Sequence, residues 1–348
     1  MSYWAGYFSI LVSSLGLAIG ALVIIRRRGQ SATAKKLIEG LLIAFLSLFL
    51  TFMAAEFYFK EFFAQTDNRN FTLASKNWFE RYWVRNSYGF RDVEWSEEDL
   101  QTRRRILVMG DSFAAGQGIE NVEDRFSNLL GQKLGNEYLV MNAAHPGFST
   151  REQILGLTGF RYKPEILIFQ YFLNDIRHAA ERHHIFLSRS DNDPWPIFQP
   201  LVENSYAVNL LYWRGILLGP QEWQGDQMAW LKTVYHDPDV WWTHQQELLT
   251  IYEGARSEGV PMIVVVFPIL TDVEGSRELS NQVVTWFRDR GVSVLDVAQM
   301  VDGVLAERLT VSNLDGHPSK WLHAQVADEL YKMVQEIDKI PVDTSQLR

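Results

Sequence analysis

The stretch RILVMGDSFAAG, residues 105–116, decides how this chain is read. Arg105–Met109 is a short, continuous apolar run halted by Gly110, the pattern of a strand buried on both faces. The turn that follows carries Ser112 between Gly110 and Gly116. A serine just beyond a buried strand is presented at a pocket edge with backbone N–H groups beside it, the exposure a nucleophilic hydroxyl needs. Asp111 reads as a residue that shapes this turn.

Working outward, four more runs repeat the strand pattern: Tyr138–Asn142, Glu165–Tyr171, Pro261–Phe267 and Val292–Val297. Between them, amphipathic stretches predict helices over Arg125–Leu134, Thr150–Tyr162, Trp241–Glu258, Asn281–Arg290 and Ser319–Ile337. Buried strands separated by helices imply an α/β fold with a parallel sheet covered on both faces. Ligands of such sheets bind beyond the carboxyl ends of the strands, so the candidate residues are those at the strand ends. Gly147 follows the second run, Asn174 follows the third, and Asp315-Gly316-His317-Pro318 immediately precedes the last helix.

Ser112, Gly147, Asn174 and His317, in that order, resemble the four blocks of the SGNH (or GDSL) hydrolase family over about residues 100–338. The upstream Asn86-Ser87-Tyr88-Gly89-Phe90-Arg91-Asp92 looks like the lead-in of membrane-anchored members. The resemblance implies a doubly wound, flavodoxin-like sheet of about five strands. It also implies a cofactor-free serine hydrolase. Ser112 would attack an ester carbonyl, His317 would take its proton, and Asp315 would hold the imidazole. The N–H groups of Ser112 and Gly147 and the side-chain amide of Asn174 would form the oxyanion hole. Two departures stand out. The family aspartate falls three residues before the histidine, where this chain has Leu314, and Asp315 lies two before. In extended chain, residues i and i+2 point to one side, so Asp315 is expected to reach His317; otherwise the pair acts alone or borrows another carboxylate. Phe172 stands where the third block has glycine and is expected to narrow the pocket.

The 348 residues include no cysteine, which excludes disulfides, thiolate metal sites and a cysteine nucleophile. The net charge of −9 argues against a broad nucleic-acid-binding face. That charge is unevenly spread. Six basic and two acidic residues fall in 1–60, leaving 27 basic and 40 acidic residues, a balance of −13. Tyr3–Ile25 has no charged side chain, and a second apolar run extends from about Leu37 to Phe59. Each matches a bilayer-spanning helix. The loop between them carries Arg26, Arg27, Arg28, Lys35 and Lys36 and no acid, which places it in the cytoplasm. Glu56 is expected near the headgroups.

The expected organisation is a two-pass transmembrane hairpin over 1–60 and an aromatic-rich interfacial linker over 61–100. A catalytic domain follows over 101–340, outside the cytoplasm, with a tryptophan-rich insertion at about 176–240 that packs over the site or onto the membrane. The expected partners are the bilayer and an acyl-ester substrate, a surface glycan or lipid. Anchored relatives of this kind also work beside a membrane-bound O-acyltransferase, and acyl transfer to a sugar hydroxyl shares the acyl-serine intermediate. The rival from another class is a non-catalytic scaffold subunit of a membrane complex. Lesser features receive plainer readings. His183-His184 reads as a solvated helix end, Asp191-Asn192-Asp193 as a turn, His145 as a hydrogen-bonded loop residue, and Asn70-Phe71-Thr72 as a sequon without weight.

Overall fold

Five runs of buried apolar residues form a wholly parallel sheet in the computed structural model, which describes residues 3–27, 31–68, 72–187, 194–217 and 222–339. Arg28, Asn70, Phe71 and the Asp191-Asn192-Asp193 turn lie outside the described residues. The strands are β1 (Arg104–Met109), β2 (Tyr138–Asn142), β3 (Ile166–Phe172), β4 (Met262–Phe267) and β5 (Ser293–Asp296), in the order β2-β1-β3-β4-β5. This is the flavodoxin-like order, and its connections change direction between β1 and β3, where a crevice opens beyond the strand ends. In register, Ile106 of β1 lies between Val140 of β2 and Ile166 of β3.

Alternate strand residues feed two cores, as the two-residue period of a strand requires. Ile106 and Val108 pack with Phe126 and Leu130 of the helix Phe126–Leu134 and with Val326 and Leu330 of the terminal helix Lys320–Lys339. Leu107 and Met109 share the opposite core with Leu231 of the helix Glu222–His236, Leu248 of Pro238–Ser257 and Phe287 of Val273–Arg288. The last of these helices begins well before the expected Asn281. The Asp272 carboxylate caps it by accepting from the Gly275 N–H, so Gly275-Ser276 lies inside the first turns rather than in a loop.

The chain divides into two units, Met1–Phe63 with Ser205–Ala207, and Ala64–Asn204 with Val208–Arg348. In the first, helices Tyr3–Arg27 and Ala32–Glu61 fold back on each other, with Trp4 Nε1 donating to Glu61 Oε1 at 3.0 Å. Lys35–Glu61, which contains an 18-residue stretch of mean hydropathy 2.2, is the one helix among the described residues long and apolar enough to cross a membrane by length and composition. The first helix carries the shorter apolar stretch Val12–Ala21. Glu56 is buried, and its carboxylate accepts from the Ser205 hydroxyl and the Tyr206 and Ala207 N–H groups at 2.7–2.9 Å.

The stretch 64–100 corrects the expectation of an interfacial linker, because it is built into the α/β unit. Trp78 and Trp95 are buried. The Arg91 guanidinium sits about 5 Å from the rings of Trp78 and Trp83 and donates to the carbonyls of Ala115 and Gly116, just past the Ser112 turn. Asp92 pairs with Arg125 at 2.6 Å and accepts from the Asn142 N–H at the end of β2. Part of the aromatic richness here surrounds buried polar groups of the α/β unit. Among its described residues, the 176–240 insertion holds the helices Arg177–Arg182, Gln199–Asn204, Tyr206–Leu217 and Glu222–His236, joined by turns and irregular chain.

The Asp92–Arg125 pair is out of contact with solvent, so removing one partner strands a buried charge. Asp92→Ala is expected to cost about 3–5 kcal/mol in denaturant unfolding of the full chain; a loss below about 1 kcal/mol, the range of surface pairs, would contradict this account.

Candidate active site

The turn after β1 is set by close packing. A Cβ at position 110 would lie 2.2 Å from Gln170 Oε1, so only glycine fits there. That oxygen, from β3, accepts from the Asp111 and Ala114 N–H groups at 2.9 and 3.2 Å. Asp111 caps the short helix Ser112–Ala115 by accepting from the Phe113 N–H at 2.9 Å, and the helix stops at Gly116 with φ +73°. The serine is thereby held on a rigid corner beyond the sheet.

Opposite it, strands β6 (Thr310–Ser312) and β7 (Asp315–Pro318) form a small antiparallel hairpin. In the extended β7, Asp315 and His317 share a side despite the shortened spacing. His317 Nδ1 lies 2.5 Å from Asp315 Oδ1, and His317 Nε2 lies 2.8 Å from Ser112 Oγ. Neither a lone dyad nor another carboxylate is needed to complete this line.

Two residues of this assembly escape a sequence reading. The Thr66 hydroxyl donates to Asp315 Oδ2, and Asn68 Oδ1 accepts from the Gly316 N–H at 2.6 Å. Both follow the apolar helix in sequence, and Thr66 stands 249 positions from its partner, so no local pattern signals the contact.

Gly147, in the loop after β2, has φ +78°, and its carbonyl accepts from the Arg177 guanidinium at 2.6 Å. Asn174 lies in the turn Leu173–Ile176 directly after β3. Ser112, Gly147, Asn174 and His317 line one cleft of about 830 Å³, together with Asn68, Phe172, Met228 and Lys232. Phe172 forms part of the cleft wall and stacks on Phe113 with ring centres 4.1 Å apart. His145 stands apart from this group, stacked on Phe148 with Nδ1 3.0 Å from the Pro146 carbonyl. His183 Nε2 is engaged with the Thr243 hydroxyl at 2.8 Å.

The electrostatics follow from burial and pairing. Burial opposes a charged His317, but the Asp315 carboxylate and hydrogen bond, with Asp111 and Asp67 behind, outweigh it and raise the imidazole above its ordinary 6.5. Burial likewise opposes a charged Asp315, yet His317 and the Thr66 hydroxyl hold it below the ordinary 3.8. Asp111 is pushed up to about 6 by burial. Burial also raises Asp175 well above its ordinary value, with the neighbouring Asp111 adding to the effect. The arrangement can transfer a proton from Ser112 Oγ to His317 and stabilise the resulting imidazolium.

No protein-family model matches the chain, and no curated protein matches it. Among solved structures it is similar to TesA at 17% identity and TM-score 0.42, covering 67% of this chain and 99% of that one. It is also similar to a lipase/acylhydrolase from Enterococcus faecalis at 16% identity and TM-score 0.40, with coverage of 66% and 96%. A carbohydrate acetylesterase family member from Sinorhizobium meliloti matches at 14% identity and TM-score 0.39, with coverage of 68% and 100%. These likenesses are distant in sequence.

The imidazole of His317 should titrate above 6.5 when followed by NMR of ring-labelled histidine. Asp315→Asn removes the largest charge that opposes desolvation, so His317 should then titrate lower than in the wild type. A His317 midpoint unmoved by Asp315→Asn would show that the two are not paired.

Proposed function

We propose that this protein is a serine esterase that cleaves O-acyl esters through an acyl-Ser112 intermediate. The observation that carries the reading is the 2.8 Å approach of His317 Nε2 to Ser112 Oγ, backed by buried Asp315. As an ester carbonyl enters the cleft, Ser112 Oγ attacks its carbon while His317 Nε2 takes the hydroxyl proton. The carbonyl oxygen becomes an oxyanion, met by the N–H groups of Ser112 and Gly147 and the side-chain amide of Asn174. Collapse expels the alcohol, which receives its proton from His317. Water then repeats the sequence: His317 removes its proton, the new C–O bond forms, and the released Ser112 Oγ regains a proton from His317 as the carboxylic acid leaves.

Several features support a membrane-anchored enzyme acting on a surface glycan or lipid. The helix Ala32–Glu61 contains a span of bilayer length, and Tyr3–Arg27 supplies a second uncharged run before its terminal arginines. The intervening basic residues favour a cytoplasmic loop, and two crossings would leave the catalytic unit outside. The cleft wall mixes Asn68, Gln117 and Gln227 with Met228 and Leu270, suiting an ester that joins an acyl group to a polar alcohol.

Purified full-length protein in detergent should hydrolyse 4-nitrophenyl acetate. Ser112→Ala should lower kcat by roughly 10⁴-fold or more, and Asn174→Ala by ~10²–10³-fold. The base must be neutral, and neutral imidazole predominates above its pKa. With that pKa raised, kcat/KM should rise with pH through a midpoint above 6.5 and fall on acidification. Undiminished turnover in Ser112→Ala would contradict the reading.

A further inference from the structure

The helix Glu222–His236, part of the insertion, meets the site twice. Gln227, Met228 and Lys232 line the cleft. Further along the same helix, Tyr235 is buried and its hydroxyl donates to the carbonyl oxygen of Leu173 at 3.1 Å. Leu173 directly precedes Asn174 in the turn after β3.

This placement matters because the Asn174 side chain has little else to aim it. Its Oδ1 is buried without a hydrogen-bond partner, so the direction of the carboxamide follows from the backbone of the turn. One side of that turn is pinned by Asp175, whose carboxylate accepts from the Phe172 N–H and from Gln153 Nε2, both at 3.1 Å. Tyr235 pins the other. The same hydroxyl also touches a buried cluster: it lies 2.5 Å from the Tyr171 hydroxyl, which lies 2.8 Å from His244 Nε2. His244 Nδ1 and His178 Nδ1 both contact the Glu247 carboxylate, at 3.2 and 2.6 Å.

We infer that Tyr235 is a positioning residue for the oxyanion donor, acting through Leu173 to aim the Asn174 amide at the developing charge. The insertion is then part of the catalytic framework as well as a wall of the cleft. The inference rests on the esterase reading, in which Asn174 serves the transition state. A donor to an oxyanion works only when pre-set at hydrogen-bond distance, and a misplacement of about 1 Å costs up to ~10²-fold in rate.

The test is a double-mutant cycle on 4-nitrophenyl acetate hydrolysis by the full-length protein. Tyr235→Phe keeps the ring and removes the hydroxyl. It should lower kcat about tenfold, part of what losing the donor itself costs, with KM within about twofold because ground-state binding is untouched. Added to Asn174→Ala, it should cost nothing more, since the group it positions is gone. Tyr171→Phe deletes a hydroxyl from the same buried cluster but leaves the bond to Leu173, so its kcat should stay within about threefold of wild type. A general folding defect would lower activity in both Asn174 backgrounds. Equal losses from Tyr235→Phe with and without Asn174 would therefore overturn the inference, as would wild-type kcat in Tyr235→Phe or an equal loss in Tyr171→Phe. Failure of the esterase reading is distinguished by a different result, wild-type turnover in Asn174→Ala and Ser112→Ala themselves.

Discussion

Asp315 has no exposed surface, and a carboxylate removed from water costs several kcal/mol unless cations and hydrogen-bond donors replace the solvent. Meeting that requirement organises the site. Oδ1 takes His317 Nδ1 and the His317 N–H, and Oδ2 takes the Thr66 hydroxyl. These contacts tie residues 66–68 to the β6–β7 hairpin and turn the imidazole so that Nε2 faces Ser112. The charge that must be compensated is also what raises His317 and makes it a stronger base. A second buried charge system steadies the nucleophile from behind. Arg91 gathers the carbonyls at the end of the Ser112 helix, while Asp92 and Arg125 connect that region to β2.

The sheet was legible because parallel strands covered on both faces are continuous apolar runs. Tyr138–Asn142 coincides residue for residue, and the other strands agree within a residue or two. The strand-end residues were legible for the same reason, since each follows a recognisable run. Thr66, Asn68 and Tyr235 were not, because each acts on a partner distant in sequence and carries no periodic signal of its own. The aromatic stretch 64–100 was legible in composition but not in placement, because its tryptophans Trp78 and Trp95 pack into the α/β unit. Tryptophans suit a bilayer interface and a buried guanidinium equally well, and only the tertiary contacts separate the two.

Both departures from the family pattern have a physical outcome. Shortening the aspartate–histidine spacing is absorbed by β7, where alternate side chains share a face, so Asp315 reaches Nδ1 from two residues away. Phe172, in place of glycine, finds a partner in Phe113, the residue after the nucleophile, and contributes a flat wall to the cleft. The insertion, expected to pack over the site or onto the membrane, supplies cleft residues and the hydrogen bond to the Leu173 carbonyl. Sequence departures and site architecture are therefore linked.

The central claim is that Ser112 is a nucleophile activated by His317. The most direct measurement is covalent labelling of the folded, full-length protein by a fluorophosphonate, with the adduct located by peptide mass spectrometry. The account predicts a single adduct on Ser112, absent in Ser112→Ala and formed far more slowly in His317→Ala. An unlabelled Ser112 in folded wild-type protein, or labelling indifferent to His317, would contradict it.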